Sequence, residues 1–339
     1  MPSFNTLFFA QNKLIIKKKM CAFVSKIRIF PIKSCRSFEV KESRIVDGRL
    51  EYDRCFSIIS SVKKEVLSQK EFGQMAMIEP NVDVKKNILI IYSHTNKTEF
   101  RLDLNLDFQN TLKIKFRETN DLEVIDLGDD VADFLNKALN RVDLRLVKES
   151  TVKRDMEASL NADKSDSDMD FSMFGNNLFN KDDLKNKLKS VEKKDELVWE
   201  LNFGNRSSLC FLSMETVDEV NKFSGESLIE EESYRANVIL KGCEKPYSED
   251  TWAHFALIGD TEMHFVYVRS APRRCCMMSI DQKTGVLDKE KKNNKIIHKA
   301  KSVNGKIASI GALAAAVKGK SDGLLKVGDR VKVLEYISQ

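Results

Sequence analysis

Apolar positions in this chain come mostly in short runs broken by turn-forming residues, which is the pattern of short strands rather than long helices. The first run, Phe23 to Phe30, is rich in β-formers and stops at Pro31. Phe38–Val46, Cys55–Ile59, Met75–Ile78, Ile88–Tyr92, Phe100–Leu104 and Leu112–Phe116 follow, with turn residues between them. This spacing predicts a β-rich barrel or sandwich. Val131, Phe134, Leu135 and Leu139 then share one helical face, and Arg141–Val147 reads as a returning strand that closes the unit. From Lys148 to Glu196 the pattern collapses into Asp, Lys, Ser and Asn, as in Ala162–Asp170, which predicts a solvated connector. Regular structure resumes at Trp199. Leu209–Leu212 is a strand, Ser213 a helix cap and Thr216–Phe223 a helix. Further strands are expected at Tyr234–Leu240, Phe255–Ile258, Met263–Tyr267, Met277–Ile280 and Val331–Leu334. The expectation is a mixed α+β, β-rich chain with a few short helices. It has a disordered tail (1–22), a β-barrel domain (23–147), a flexible charged linker (148–197) and a second β-barrel domain (198–337).

Composition narrows the function. The chain has 339 residues, 42% of them hydrophobic, enough for two real cores. A net charge of +5, interleaved with 51 acids, is too small to argue for nucleic acid but fits a local basic pocket for a small anion. Seven cysteines, an odd number with no CxxC pair, argue against a secreted disulfide framework, and four scattered histidines against a zinc site. Reduced thiols and a cytoplasmic protein follow, with a mitochondrial one as the second reading. The apolar stretch Leu7–Ala10 before Lys17–Lys19 is too short to span a membrane and has the wrong order for a secretory signal.

The run Arg273-Arg274-Cys275-Cys276-Met277-Met278-Ser279-Ile280-Asp281, with Thr284-Gly285 after it, carries the strongest chemical signal. It sets a thiol beside two guanidiniums, and positive charge favours the thiolate that attacks sulfur or binds a soft metal. Five more motifs accompany it: Phe30-Pro31-Ile32-Lys33-Ser34-Cys35, Tyr52-Asp53-Arg54, Leu67-Ser68-Gln69-Lys70, Tyr234-Arg235-Ala236-Asn237 and Ser248-Glu249-Asp250-Thr251-Trp252. In this order they resemble the MOSC superfamily from about Val24 to Leu334, and Leu325–Val331 looks like the family's final hairpin. Within it the wording lies nearer the C-terminal half of eukaryotic molybdenum cofactor sulfurase than the mitochondrial amidoxime-reducing component. The latter prefers Arg where Lys70 stands and Pro where Ala236 stands.

The resemblance implies an N-terminal MOSC barrel, then a MOSC domain, and a pocket for molybdenum cofactor (molybdopterin). Lys33, Ser34, Lys70, Arg235 and Arg274 are then candidates for holding it. Cys275 sits at the family's thiol position, as catalytic residue and metal ligand. Asn237 either bonds the pterin edge or satisfies buried backbone. Arg54 reads as the partner of a structural ion pair with Asp53, Asp250 as a cap for backbone amides and Trp252 as packing. If its segment is extended, Cys276 points away from Cys275. Pro272 stands where relatives commonly carry a further Cys, and Phe72-Gly73-Gln74 where they carry Glu-Pro-Arg.

Full-length sulfurases carry a pyridoxal phosphate domain that extracts sulfur from cysteine. The few residues before Phe23 cannot hold it, so sulfur is expected from a donor such as a separate cysteine desulfurase. The implied role is a sulfurtransferase-like module that sulfurates the cofactor for xanthine-dehydrogenase-like or aldehyde-oxidase-like clients. The alternatives are a molybdenum-dependent reductase of N-oxygenated compounds and a non-catalytic cofactor carrier.

Overall fold

A computed structural model describes residues 22–116, 119–150, 154–155, 200–201, 203, 207, 209–225, 228–272, 276–302 and 309–337. Strand pairing does not follow chain order. The first strand, Phe23–Ile29, lies between Val238–Lys241 and Arg330–Tyr336 and closes a ring built otherwise from the C-terminal half. Around the ring run Val238–Lys241, Leu209–Ser213, Ser309–Ala316, Glu262–Pro272, Trp252–Ile258 and Arg330–Tyr336. Its core is aromatic. The rings of Phe255 and Phe265 stand 5.0 and 5.5 Å from Phe211, and Trp252 stands 5.5 Å from Phe255. Such contacts add to the burial of the rings themselves.

A second closed barrel joins Thr111–Phe116, Thr119–Asp126, Leu144–Glu149, Phe56–Ser60 and Glu65–Val66. Beside it Ile78–Asp83, Ile88–Ser93 and Thr98–Asp103 form a three-stranded sheet. Helix α1, Asp129–Leu139, buries Val131, Leu135 and Leu139 against this half, as its spacing predicts. Glu42–Val46 pairs with Gly323–Lys326, so the N-terminal segment contributes twice to the C-terminal half. The β-rich, two-barrel architecture expected from the sequence is present. Among the described residues no helix is long and apolar enough to cross a membrane. The segment between the barrels, where the linker was expected, lies almost wholly outside the described residues, as does the N-terminal tail.

Several local expectations need correction. Met75–Ile78 is not a strand: Gly73–Met77 is a 3-10 turn and the strand begins at Ile78. Tyr234–Leu240 divides into a 3-10 turn, Glu231–Tyr234, a left-handed Arg235 (φ 53°) and the strand Val238–Lys241. Met277–Ile280 lies mostly in a 3-10 turn, Cys276–Ser279, so an alternation rule for extended chain does not apply there. In each case apolar residues are buried by a turn, and a short apolar run cannot tell the two apart.

The helix α2, Met214–Asn221, connects the parallel strands Leu209–Ser213 and Val238–Lys241, a pairing that requires such a crossover. Ser213 caps it, accepting from Thr216 N at 3.2 Å as predicted. The carboxylate that binds backbone here is Glu249, not Asp250: Glu249 accepts from Ser213 N (3.1 Å), Ser213 Oγ (2.8 Å) and Thr216 Oγ1 (3.2 Å). Asp250 instead pairs with Lys301 Nζ at 2.9 Å. Lys301 is fully buried on α3, Lys292–Ser302, a helix whose apolar stripe, Ile297 and Ala300, the strand-dominated reading passed over.

Two stability outcomes follow. Burial first, then Asp250, raises the pKa of Glu249. The folded state keeps a proton that the unfolded chain has released. Stability is therefore full below the ordinary carboxylate range and falls as pH rises through the raised value. Glu249→Gln fixes the neutral form, and urea titrations between about pH 5 and 8 should show a flatter slope than the parent. Lys301→Met strands Asp250 and should cost roughly 3 kcal/mol at neutral pH. Adding Asp250→Leu should recover most of the loss.

Candidate functional site

A buried carboxylate organises the region where the motifs meet. Asp53 Oδ1 accepts from Phe30 N at 2.9 Å and from Asn237 Nδ2 at 3.1 Å. Asn237 Nδ2 also donates to Arg28 O (3.2 Å), and its Oδ1 accepts from Cys210 N (3.3 Å). The amide of Asn237 is thus engaged at both ends by backbone and Asp53, and a contact to a ligand would require it to release one of them. This latch joins the Tyr52–Arg54 turn, the end of the first strand and the Tyr234–Asn237 turn.

The latch sets two guanidiniums against one ring. The Arg54 and Arg235 guanidinium carbons lie 4.2 and 4.4 Å from the Phe30 centroid, and both backbones are left-handed at φ 53°. That conformation costs a non-glycine residue roughly 1 kcal/mol or more. Arg54 is ion-paired to Asp53. The Arg235 side chain makes no hydrogen bond or ion pair with any described residue. Burial, then the nearby Arg54 charge, push its pKa down to about 9, opposed by Cys35 and Asp53, so it stays protonated at neutral pH. Arg235 is packed round by protein yet keeps some access to water, because it lines a cavity of about 230 Å³. Two guanidiniums facing one carboxylate leave a positive charge that a small anion would neutralise.

Lys33 belongs to the same neighbourhood. Its Nζ donates to Phe203 O at 3.1 Å, while Phe203 N donates to Arg54 O at 3.1 Å. Ser34 is buried and left-handed (φ 63°), which turns the chain sharply after Lys33. Cys35 is fully buried, and burial raises its thiol to about 12 against the pull of Arg235, so it is an inert core thiol. Burial raises Cys55 to about 12 and Cys243 upward as well.

The Leu67–Lys70 motif meets the Asp281–Gly285 motif directly. Gln69 and Gln282 exchange side-chain amide hydrogen bonds at 3.3 Å. A Cβ on Gly73 would stand 2.4 Å from Gly285 O, so only glycine allows this approach. The departure Phe72-Gly73-Gln74 is therefore part of how the loops fit. Arg36 clamps the same junction, donating from Nε to Ala76 O and from Nη2 to Gln282 O, both at 2.6 Å. Lys70 itself is exposed and makes no hydrogen bond or ion pair among the described residues. Arg274 and Cys275 lie outside the described residues. The turn that follows them is anchored on α3: Asn293 Nδ2 donates to Met278 O at 2.7 Å, and Ser279 Oγ bonds Asn294 Oδ1 at 2.6 Å.

Sequence reasoning missed Arg54 and Arg36 as members of this group. Arg54 does form the expected ion pair, but the same side chain stands against Phe30 beside Arg235. The signal available was its place in a six-motif series. Arg36 directly follows the Lys33–Cys35 motif.

An uncompensated buried charge predicts opposite effects on stability and binding. Arg235→Met should raise unfolding free energy by about 1 kcal/mol while removing binding of inorganic phosphate. Paired denaturation and phosphate titrations check this. Loss of stability would show that Arg235 has a compensating partner. Gly73→Ala should cost about 1–3 kcal/mol by forcing the two loops apart, as read by the same denaturation.

Comparison with known proteins agrees with this geometry. The MOSC N-terminal beta barrel domain matches residues 21–142, and the MOSC domain matches residues 199–332. Molybdenum cofactor sulfurase of Danio rerio is 26% identical over 293 residues, covering 79% of this chain and 29% of that protein. The Bombyx mori protein of the same name is 27% identical over 283 residues, covering 80% and 29%. The Arabidopsis thaliana one is 24% identical over 319 residues, covering 91% and 35%. This chain therefore spans 29% to 35% of the length of these relatives. With both domain models matched in order and both barrels present, the chain belongs to the MOSC superfamily.

Proposed function

We propose that this chain binds molybdenum cofactor as its substrate and takes part in the cofactor's sulfuration for molybdoenzyme clients. The observation that carries this reading is the uncompensated Arg235, set beside Arg54 on Phe30 where the family's motifs converge. The cofactor's phosphate needs such a group. Lys33, Arg54 and Arg235 are the cations this chain offers it, with the backbone of the Ser34 turn close by. Lys70 would reach in from its loop, Arg274 is a further candidate by its motif, and Asn237 holds the floor in place through Asp53.

The metal end depends on one thiol. Among the described residues no group of three His, Cys, Asp or Glu side chains could hold a metal ion. Cys275, by the motif it stands in, is the single sulfur offered to a metal already held by its pterin ligand. Cys275 follows directly on Arg274, whose charge favours the thiolate. In the exchange proposed, a hydrogen sulfide equivalent supplied by a donor enters and water leaves. The protein's part is to hold the substrate by its phosphate and to present a sulfur atom. The names of the relatives, molybdenum cofactor sulfurase, support this assignment.

Metal and pterin analysis of the purified chain tests the reading. Molybdenum and pterin should co-purify or load in vitro, and Arg54→Gln with Arg235→Gln should reduce retention at least tenfold, the scale of losing charge-assisted hydrogen bonds. Cys275→Ser should keep the pterin but abolish sulfuration of an added desulfo molybdoenzyme. A folded protein that cannot be loaded overturns the proposal. So does turnover of an N-hydroxylated substrate by a loaded protein that leaves the desulfo enzyme inactive.

A further inference from the structure

The cavity beside Arg235 has charges of both signs, and only one sign is explained by an anionic ligand. Its positive wall is Arg235, whose side chain is unpaired among the described residues, with Arg36 fixed by Gln282 O, Ala76 O and the His94 ring; Lys283, also in the lining, is paired with Glu230 at 2.6 Å. Its carboxylates are Glu79, which is engaged by His94 at 2.6 Å and Arg36 at 3.9 Å, and on the other side Glu39 and Glu232, which flank Arg28 and form the negative wall. Arg28 does not need them. Glu231 clamps it from both carboxylate oxygens, one at 2.8 Å from Nη2, and also takes Lys26 at 2.5 Å. Glu232 and Glu39 then sit only at 3.3 and 3.6 Å from Nη2, and both side chains are about half exposed. Around Arg28 two cations face three carboxylates, while around Phe30 two guanidiniums face one.

The opposite walls are close together. Glu232 and Arg235 lie three residues apart on one tight turn, where Arg235 N donates to Glu232 O at 2.9 Å. Their side chains form no ion pair with each other, because Glu232 is turned toward Arg28. Ser37 and Gln282 add a hydroxyl and an amide, and Phe30 gives the cavity its aromatic wall. A ligand that completes both walls must carry a negative and a positive group a few atoms apart.

We infer that this cavity is a binding site for a small polar α-amino acid, its carboxylate toward Arg235 and Arg36 and its ammonium toward Glu232 and Glu39. A dianion such as phosphate satisfies only the positive wall and leaves the other without a partner. A volume of about 230 Å³ has room for glycine, serine or cysteine, and the mostly polar lining suits such a residue rather than a large apolar one. The inference does not rest on the cofactor reading.

Titration of the full chain by calorimetry or NMR tests it, with glycine and L-serine as probes, and propionate and ethylamine as ligands carrying one charge each. Glycine and serine should bind, and each single-charge probe should bind about tenfold more weakly. Glu39→Gln with Glu232→Gln should weaken glycine about tenfold, leave propionate unchanged and leave pterin retention intact. Because Glu231 still clamps Arg28, the double variant should remain folded, and an unchanged denaturation midpoint checks that. Equal affinity for propionate and glycine would overturn the proposal in favour of a plain anion site. No binding at about 20 mM would overturn it outright, as would a double variant that binds glycine unchanged. If pterin loading fails while glycine still binds, the sulfuration reading falls and this one stands.

Discussion

The position of one buried carboxylate governs this region. Asp53 receives the amide of Phe30, the side-chain amide of Asn237 and the guanidinium of Arg54. Those bonds go to other partners and Arg235 makes no ion pair with it, while the turn that presents Arg235 is held in place by the same Asn237. The latch thus creates the unmatched charge and fixes its position. A buried carboxylate is itself costly unless fully bonded, so these partners also keep Asp53 stable where it is. The unmatched charge is a by-product of how two chain turns are locked to the end of the first strand.

That strand explains why the site cannot be assigned to one barrel. Phe23–Ile29 closes the C-terminal ring, yet the residues that follow, Phe30 to Arg36, lead into the N-terminal half. The second junction, where Gln69 meets Gln282 and Gly73 meets Gly285, ties the loops back together at the other side. Arg36 spans both, since it follows the Lys33 turn and bonds to each of the two loops. Cavity and cations therefore sit between two points of attachment, so the geometry of the walls is set by backbone contacts rather than by flexible surface side chains.

Much of this was legible in the sequence, for identifiable reasons. Short β-rich runs with turn residues between them gave the two strand-rich halves, and Ser213 before a 3.6-residue pattern gave the cap of α2. What escaped was structure in which sequence period carries no information. Met75 and Met278 are buried by 3-10 turns, so their runs look like strands. Strand partners were not readable either, because nothing in Phe23–Ile29 marks Val238–Lys241 as its neighbour across two hundred residues of chain. Among site residues, Lys33, Arg235 and Asn237 do come together, whereas Lys70 stays at the surface. Arg54 shows the limit of pairwise reasoning: its expected ion pair exists, but the other face of the same group is what adds charge to the site.

Two cations of the C-terminal half, Lys301 and Arg235, make the same point from the protein's own contrasts. Lys301 has no exposure at all, and its charge is met by Asp250 at 2.9 Å and by the Tyr247 ring, whose centroid is 3.9 Å away. Arg235 also has a ring beneath it, yet the carboxylate nearest to it already belongs to Arg54. Burying a cation costs free energy in both places, and folding recovers it in only one. A charge compensated inside the fold is structural, since removing it strands its partner. A charge left uncompensated beside a cavity gains its partner only from outside. By that criterion Lys301 belongs to the scaffold and Arg235 is the cation proposed to meet a ligand, a distinction that residue type and burial alone would not have drawn.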